Sequence, residues 1–321
     1  MKRLIAFLLC IVMLFALCAC SANKPEPTQE PSAEPTPSYE SVSFENHGKK
    51  ITVDSMPQKV VTAGPNCTEV FCALGLSDLV VGKCMSNHST GALEELSEDF
   101  YTIPDISVGY PTLDELIASG CDFLYATDWI FGENLTVKAL EKAGITVFVS
   151  NCSDIGGLYE DIRTIAKIFE VSDTAEEIIA KDAAIISAVS EKLPEEKLRV
   201  LVLDSFIDDL VYVAGSNAFE NSIIEAAGGE NVFAELEKPW DAVTVEEIMA
   251  AQPDFIIIHD YQDSASADKL AALKEHPWLS HLACVRNGAI LEISLENSFP
   301  GVRSGITVET LSSAMYPDIF E

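Results

Sequence analysis

Positive charge is scarce in this chain. Lys and Arg together number 20 against 51 Asp and Glu, and the formal net charge is −31. Nucleic-acid binding draws most of its affinity from Lys and Arg on phosphates, so this composition excludes nucleic acid as an expected partner. The acidic excess favours solubility and weakens attraction to anionic lipid, but it does not indicate a particular function.

Catalytic signatures are also missing. The sequence contains no GxSxG, HExxH, Walker or GxGxxG motif, and its five histidines show no metal-ligand spacing. We therefore predict that the protein is not an enzyme, with no catalytic residues, no metal-binding residues and no intrinsic cofactor. An enzyme and a non-transport structural lipoprotein remain as alternatives from other functional classes.

Cysteine is present without a recognisable framework. The nine cysteines include no CxxC pair, and six of them follow residue 20, so disulfides stay an open question. Several sulfur-bearing or imidazole side chains fall near predicted strand ends: Cys67, Cys84, Met85, His88 and Cys152. One hypothesis is that some of them ligate a metal carried by the ligand. The alternative is that they are ordinary buried residues.

No apolar run is long enough to span a bilayer. Residues 4–17 are uniformly apolar, but such a run is shorter than the roughly 20 residues that a spanning helix needs, and it follows Lys2 and Arg3. It ends in LCAC, which resembles the bacterial lipoprotein box. That resemblance implies a signal peptide over residues 1–19, a lipid on Cys20, and anchoring to the outer face of the cell membrane. Residues 20–43, rich in Pro and Glu, are predicted to be an extended linker.

Short aliphatic strands alternate with helices after the linker. Strands are predicted at residues 60–62, 79–81, 123–126, 145–149, 200–203, 210–213, 255–258 and 289–293. Helices are predicted at residues 68–74, 113–118, 135–143, 154–169, 172–193, 220–227, 245–251 and 307–316. This order predicts an α/β fold of two lobes with mostly parallel sheets flanked by helices. The predicted boundaries are 44–153 for the N-terminal lobe, 154–197 for a helical connector and 198–321 for the C-terminal lobe.

Four sequence blocks resemble one family in order. They are KVVTAGPNCTEVFCALGLSDLVVG (59–82), VGYPTLDELIASGCDFLYA (108–126), YVAGSNAFENSIIEAAGGENVF (212–233) and PWDAVTVEEIMAAQPDFIII (239–258). Together they resemble the solute-binding proteins of ABC importers that carry ferric siderophores, haem and cobalamin. The resemblance implies two lobes joined by a single long helix (a class III solute-binding protein). It also implies a monomer that delivers a small metal chelate to a permease dimer with its ATPase subunits.

The resemblance also implies which acids dock the permease. Family members place an acid near the start of a helix in each lobe, and these acids pair with permease arginines. The matching positions are Asp114, with Glu115 beside it, and Glu246. The alternative is that they are ordinary first-turn acids favoured by the helix dipole.

Ligand contacts are expected just past the strand ends, because open parallel sheets bind ligands there. The predicted ligand-binding residues are Asn66, Lys83, His88, Tyr110, Trp129, Phe206, Asn217, Trp240, Tyr261, Phe299 and Arg303. Family frequency makes an iron(III) chelate, a ferric siderophore, the first choice of ligand. A corrinoid is the alternative because cationic side chains are few and aromatic ones many, and haem is third.

Overall fold

The structure is a computed structural model that describes residues 39–320. The predicted signal peptide, Cys20 and most of the predicted linker lie outside the described residues. None of the helices in residues 39–320 is both long enough and apolar enough to cross a membrane.

A two-stranded hairpin opens the described part of the chain. Strand β1 (Val42–Asn46) pairs antiparallel with β2 (Lys49–Val53). The first two residues of β1 are the last two residues of the segment predicted as linker. The Asn46 amide donates to the carbonyl oxygen of Val149 at 2.9 Å and its Oδ1 accepts from the Val149 amide at 2.8 Å. These two bonds fix the hairpin to the edge strand of the first sheet.

The N-terminal lobe is built on a parallel five-stranded sheet of order β5-β4-β3-β6-β7. Its strands are β3 (Val60–Ala63), β4 (Val80–Cys84), β5 (Asp105–Ser107), β6 (Phe123–Thr127) and β7 (Thr146–Ser150). Its helices are α1 (Pro65–Ala73), α2 (Ser97–Thr102), α3 (Leu113–Ser119) and α4 (Val137–Lys142). The first helix starts three residues earlier than predicted, because proline is well suited to the first helical position, where no backbone donor is needed.

Two consecutive helices connect the lobes. Helix α5 (Ile155–Ile168) is capped by the Asp154 side chain, and α6 (Ser172–Ser190) runs for 19 residues, about 28 Å at 1.5 Å per residue. Asp182 on α6 accepts from the Gly305 amide at 2.6 Å, and a Cβ on Gly305 would lie 2.7 Å from the Asp182 carboxylate. Only glycine allows this close approach between the connector and the C-terminal lobe.

The C-terminal lobe contains a mixed sheet of order β11-β9-β8-β12-β13, with β10 also paired to β8. Its strands are β8 (Leu198–Ile207), β9 (Leu210–Ala214), β10 (Gly229–Asn231), β11 (Trp240–Thr244), β12 (Phe255–Asp260) and β13 (Ile290–Ser294). Its helices are α7 (Glu220–Ala226), α8 (Val245–Ala251), α9 (Ser266–Glu275), α10 (Ala283–Asn287) and α11 (Ser304–Met315). Strand β9 runs antiparallel to both of its neighbours, β8 and β11. The β8–β9 pair is antiparallel because a two-residue turn joins the strands and allows no crossover. The predicted α/β class is confirmed, with this antiparallel edge added.

Candidate ligand-binding site

The N-terminal side of the site is formed by turns that follow three strands of the parallel sheet, β4, β5 and β6. His88 ends the 3₁₀ turn Ser86–His88 after β4, and Trp129 lies in the 3₁₀ turn Asp128–Ile130 after β6. Tyr110 follows β5 and is 55% exposed, which places it at the rim. The three rings pack together: His88 lies 5.2 Å from Trp129 and 6.1 Å from Tyr110 between ring centroids.

The C-terminal side supplies the facing aromatic residues. Tyr261 follows β12, and its ring stacks on His88 at 5.8 Å with an interplanar angle of 10°. Phe299 follows the 3₁₀ turn Leu295–Ser298 after β13 and lies 5.6 Å from Trp129. Two further rings, Tyr212 on β9 and Trp240 on β11, stack at 6.1 Å.

These side chains line one cavity of about 200 Å³ between the lobes. Its lining residues are His88, Tyr110, Trp129, Asp204, Tyr212, Trp240, Tyr261, Leu295 and Phe299. Six of the predicted ligand-binding residues are among them, and ligand contact by these six stays a prediction. Wider depressions elsewhere, such as the one beside residues 167–174, carry no comparable aromatic lining.

No lysine or arginine lines this cavity, and the one imidazole in it is biased toward its neutral form. Burial lowers the pKa of His88 and outweighs the opposite effect of Asp263 and Asp204. The buried lysine in contact with a lining residue is Lys269, whose ammonium lies 4.3 Å from the centre of the Tyr261 ring and donates to the His259 carbonyl at 2.6 Å. The cavity wall is therefore aromatic with a single carboxylate, Asp204.

A buried histidine holds that carboxylate in place. His259 is fully buried between two acids: its Nδ1 lies 3.0 Å from Asp204, and its Nε2 lies 3.1 Å from Glu220. Burial alone would lower the pKa of His259, but the charge of Glu220 and the bonds to both acids raise it to about 9. Burial would raise the pKa of Asp204, yet the His259 contacts outweigh it and the pKa is lowered. Asp204 is thus an ionised carboxylate at neutral pH.

Three residues predicted as ligand contacts are not among the lining residues, and their side chains make other contacts. Lys83 lies within β4, not beyond it, and its ammonium bonds to the Ile103 carbonyl oxygen and lies 3.3 Å from Asp105. Arg303 is 7% exposed and forms a two-pronged ion pair with Glu69 at 2.6 and 2.7 Å. Asn66, 1% exposed, donates to the Pro300 carbonyl oxygen at 2.8 Å. Arg303 and Asn66 therefore join the two lobes to each other.

Two others do not reach the cavity. Phe206 lies within β8, where it packs against the hydrophobic core of the C-terminal lobe. Asn217 is an exposed turn residue with a φ of 57° and is not among the lining residues. The predicted strand 200–203 stopped four residues short of the true end of β8, which misplaced Phe206 beyond it.

The sulfur hypothesis finds little support in the structure. Cys84 and Met85 are buried in the core cluster of the N-terminal lobe, and Cys67 is completely buried. All six cysteines of the described residues are free thiols, and within residues 39–320 no group of three or more His, Cys, Asp or Glu could hold a metal ion. Of the residues named in that hypothesis, His88 alone lines the cavity.

The two predicted docking acids occupy equivalent positions in the two lobes. Thr112 caps α3 and Thr244 caps α8, each in a capping box whose second member is Glu115 or Glu247. One oxygen of Glu115, Oε2, accepts from both the amide and the hydroxyl of Thr112 at 2.8 Å. Asp114 and Glu246 precede these capping acids by one residue and are exposed.

Comparisons with known proteins agree with this architecture. A family model described as periplasmic binding protein matches residues 60–294. An uncharacterized ABC transporter substrate-binding lipoprotein of Bacillus subtilis, YvrC, is 23% identical over 98% of this chain and 97% of its own length. A cobalamin-binding protein of Halobacterium salinarum is 29% identical over 77% of this chain, which spans 64% of that protein. A crystal structure of a periplasmic binding protein from Veillonella parvula superposes with a TM-score of 0.77 at 22% identity, covering 86% of this chain and 98% of the other.

Proposed function

Because this chain belongs to the periplasmic binding protein family and to its ABC-importer branch for metal chelates, we propose that it binds a corrinoid outside the cell and delivers it to a permease. The observation that carries this choice is the cavity wall, which is aromatic and offers no lysine or arginine to a ligand. Anionic ferric chelates and the carboxylates of haem need such cations. A corrinoid presents a broad, mostly uncharged surface that aromatic rings cover well.

The preference for a ferric siderophore expected from the sequence is thereby reversed. That expectation rested on family frequency, and the two cations among the predicted ligand contacts, Lys83 and Arg303, are both engaged in internal ion pairs. The relative named as a cobalamin-binding protein supports the same ligand class at 29% identity. Delivery, not turnover, fits the family, since its members bind and release a solute for a transporter.

Tryptophan fluorescence gives a direct test. The chain has three tryptophans: Trp129 and Trp240 line the cavity, and Trp278 is 64% exposed elsewhere. Cyanocobalamin and cobinamide should quench the wild type and the matched control Trp278→Phe. Quenching should shrink in Trp129→Phe and in Trp240→Phe. Tighter binding of ferric catecholates, ferric hydroxamates or haem than of both corrinoids would overturn the assignment.

Docking to the permease is proposed to use Asp114 and Glu246. Each carboxylate projects from the first turn of a helix, beside a capping acid that has one oxygen engaged in the cap. The double variant Asp114→Arg/Glu246→Arg should abolish uptake of labelled cobalamin by cells while leaving solution affinity unchanged. The exposed acids Asp173 and Glu275 give a matched double-Arg control with normal uptake. Normal uptake by the first variant would refute the docking role.

We place the protein on the outer face of the cell membrane, held by a lipid on Cys20. The support is the lipoprotein box of the sequence and the printed description of YvrC as a lipoprotein. A tether would keep the receptor near its permease without taking part in ligand chemistry.

A further inference from the structure

The carboxylate of Asp204 is the one charged group in the cavity wall, and its surroundings fix both its charge and its position. One oxygen lies 3.0 Å from His259 Nδ1, and the other lies 3.3 Å from the Tyr261 hydroxyl. The side chain keeps 14% of its surface exposed, and that surface faces the cavity. A carboxylate has about four acceptor positions, so lone pairs remain free toward a ligand.

The balance of charge around the cavity is negative. Behind Asp204, Glu220 is paired with His259, and the Lys269 ammonium, whose charge also helps to lower the pKa of Asp204, donates to the His259 carbonyl oxygen and does not line the cavity. At the rim, Asp263 adds a second carboxylate, which accepts from Asn87 at 2.6 Å. Among the described residues, no cation lines this cavity to offset the two acids. A ligand carboxylate placed here would meet like charge in a partly desolvated site, where repulsion is costly.

We infer that Asp204 is a specificity-determining residue that selects ligands presenting N–H donors or positive charge and rejects those presenting carboxylates. This inference rests on the proposed function where it concerns corrinoids: it assigns the bound form to corrinoids whose peripheral side chains are amides rather than carboxylic acids. The aromatic rings then provide most of the contact area, and Asp204 provides the discrimination.

The variant Asp204→Asn tests the charge with little change of shape. Asparagine has the same size, and its carbonyl oxygen can still accept from His259. The half-buried Asp241, next to Trp240 but not among the lining residues, gives the matched control Asp241→Asn. Melting temperatures of both variants establish that the fold is retained before binding is compared.

Affinities are measured by fluorescence quenching for two pairs of probes. The first pair is dicyanocobinamide, which carries amides, and dicyanocobyrinic acid, which carries carboxylates. The second pair is ferrioxamine B, a cationic iron complex, and ferric citrate, an anionic one. A hydrogen bond to a charged group contributes a factor of about 10 to 100 in affinity, so wild type and Asp241→Asn should prefer the first member of a pair by at least about tenfold.

In Asp204→Asn the preference should fall to about twofold or less, and binding of the carboxylate probe should improve. A gain of binding cannot come from a damaged fold. Equal affinity of the wild type for both corrinoids, or an unchanged preference in Asp204→Asn, overturns the inference while corrinoid binding stands. If only the iron complexes bind, and ferrioxamine B is preferred in an Asp204-dependent way, the corrinoid assignment fails and the inference about Asp204 stands. If no probe binds the wild type, both fail.

Discussion

Replacing Arg303 by methionine should destabilise the protein more than any comparable change at an exposed arginine. The guanidinium of Arg303 is shared by four acceptors: both Glu69 oxygens at 2.6 and 2.7 Å, the Asn297 side chain at 2.9 Å and the Gly91 carbonyl at 2.7 Å. Glu296 lies 3.7 Å away. Arg303 thus places its positive charge beside two acids from opposite lobes, Glu69 and Glu296, each about 1% exposed.

The expected cost follows from what methionine leaves behind. Methionine fills much of the volume but leaves Glu69 and Glu296 buried without a counter-charge. Removing one partner of a buried ion pair costs about 3–5 kcal/mol. Glu69 keeps the Leu93 amide as a donor at 2.8 Å, and Glu296 keeps Ser89 at 2.9 Å, so we expect about 3–4 kcal/mol at pH 7.

Urea unfolding, followed by far-ultraviolet circular dichroism and by tryptophan fluorescence, measures this cost. Arg163→Met is the matched control, since Arg163 binds Glu176 and Glu160 on the surface with 39% of its side chain exposed. Exposed pairs contribute little, so the control should change the unfolding midpoint only slightly. The double variant Glu69→Met/Arg303→Met should recover part of the loss. A loss below about 1 kcal/mol in Arg303→Met, or strictly additive single changes, would refute this account of the lobe interface.

Three further outcomes are expected. Burial raises the pKa of Asp161 to about 7, and its Oδ2 lacks a hydrogen-bond partner. Ionisation of Asp161 therefore destabilises the fold as pH rises from about 4 to 7. The variant Asp161→Asn should raise the free energy of unfolding by roughly 2–4 kcal/mol at pH 8 and hardly at pH 4. His259, with its pKa raised to about 9, contributes stability that is complete below about pH 6.5 and is lost as pH rises through 9. In Glu220→Gln the urea midpoint should decline less between pH 7 and pH 10 than it does in the wild type. An equal decline in the two proteins would contradict this. Cys20→Ser should release the protein from membranes in cell fractionation with unchanged ligand affinity.

The expectation that ligand contacts lie just past strand ends identified much of the candidate site. It did so because the carboxyl ends of parallel strands lie at the same edge of a sheet. His88, Trp129 and Tyr261 lie just past the ends of β4, β6 and β12, and these strand ends border the cavity. The same rule could have found Asp204, the first polar residue after the aliphatic residues 200–203. Tyr212 was missed for a different reason: it lies inside β9, where alternation along the strand, not its end, turns the ring toward Trp240.

Two of the five predicted contacts that do not line the cavity are cations, and these two share one physical cause. A lysine or arginine near a predicted strand end looks free in sequence, because its partner is set by tertiary structure. Glu69 is 234 residues away from Arg303 along the chain and belongs to the other lobe. Lys83 pairs with Asp105 on the neighbouring strand, and Phe100 lies beneath its ammonium. No local pattern reports such pairings, yet they decide the sign of the charge that a ligand meets.

The contacts between the lobes are unevenly distributed, and this governs how a large ligand can enter. A cavity of about 200 Å³ is too small to enclose a corrinoid, so the proposed ligand would lie across its mouth after the two sides of the rim separate. At the rim the lobes are joined by the exposed Asn87–Asp263 bond and by the stacked rings of His88 and Tyr261, each contributing about 0.5–1.5 kcal/mol. Near the start of α11 the buried Arg303–Glu69 pair costs several times more to separate. The least costly movement is therefore one that opens the rim while the buried pair stays intact. A ligand that covers the separated rings replaces most of the contact energy lost in this opening.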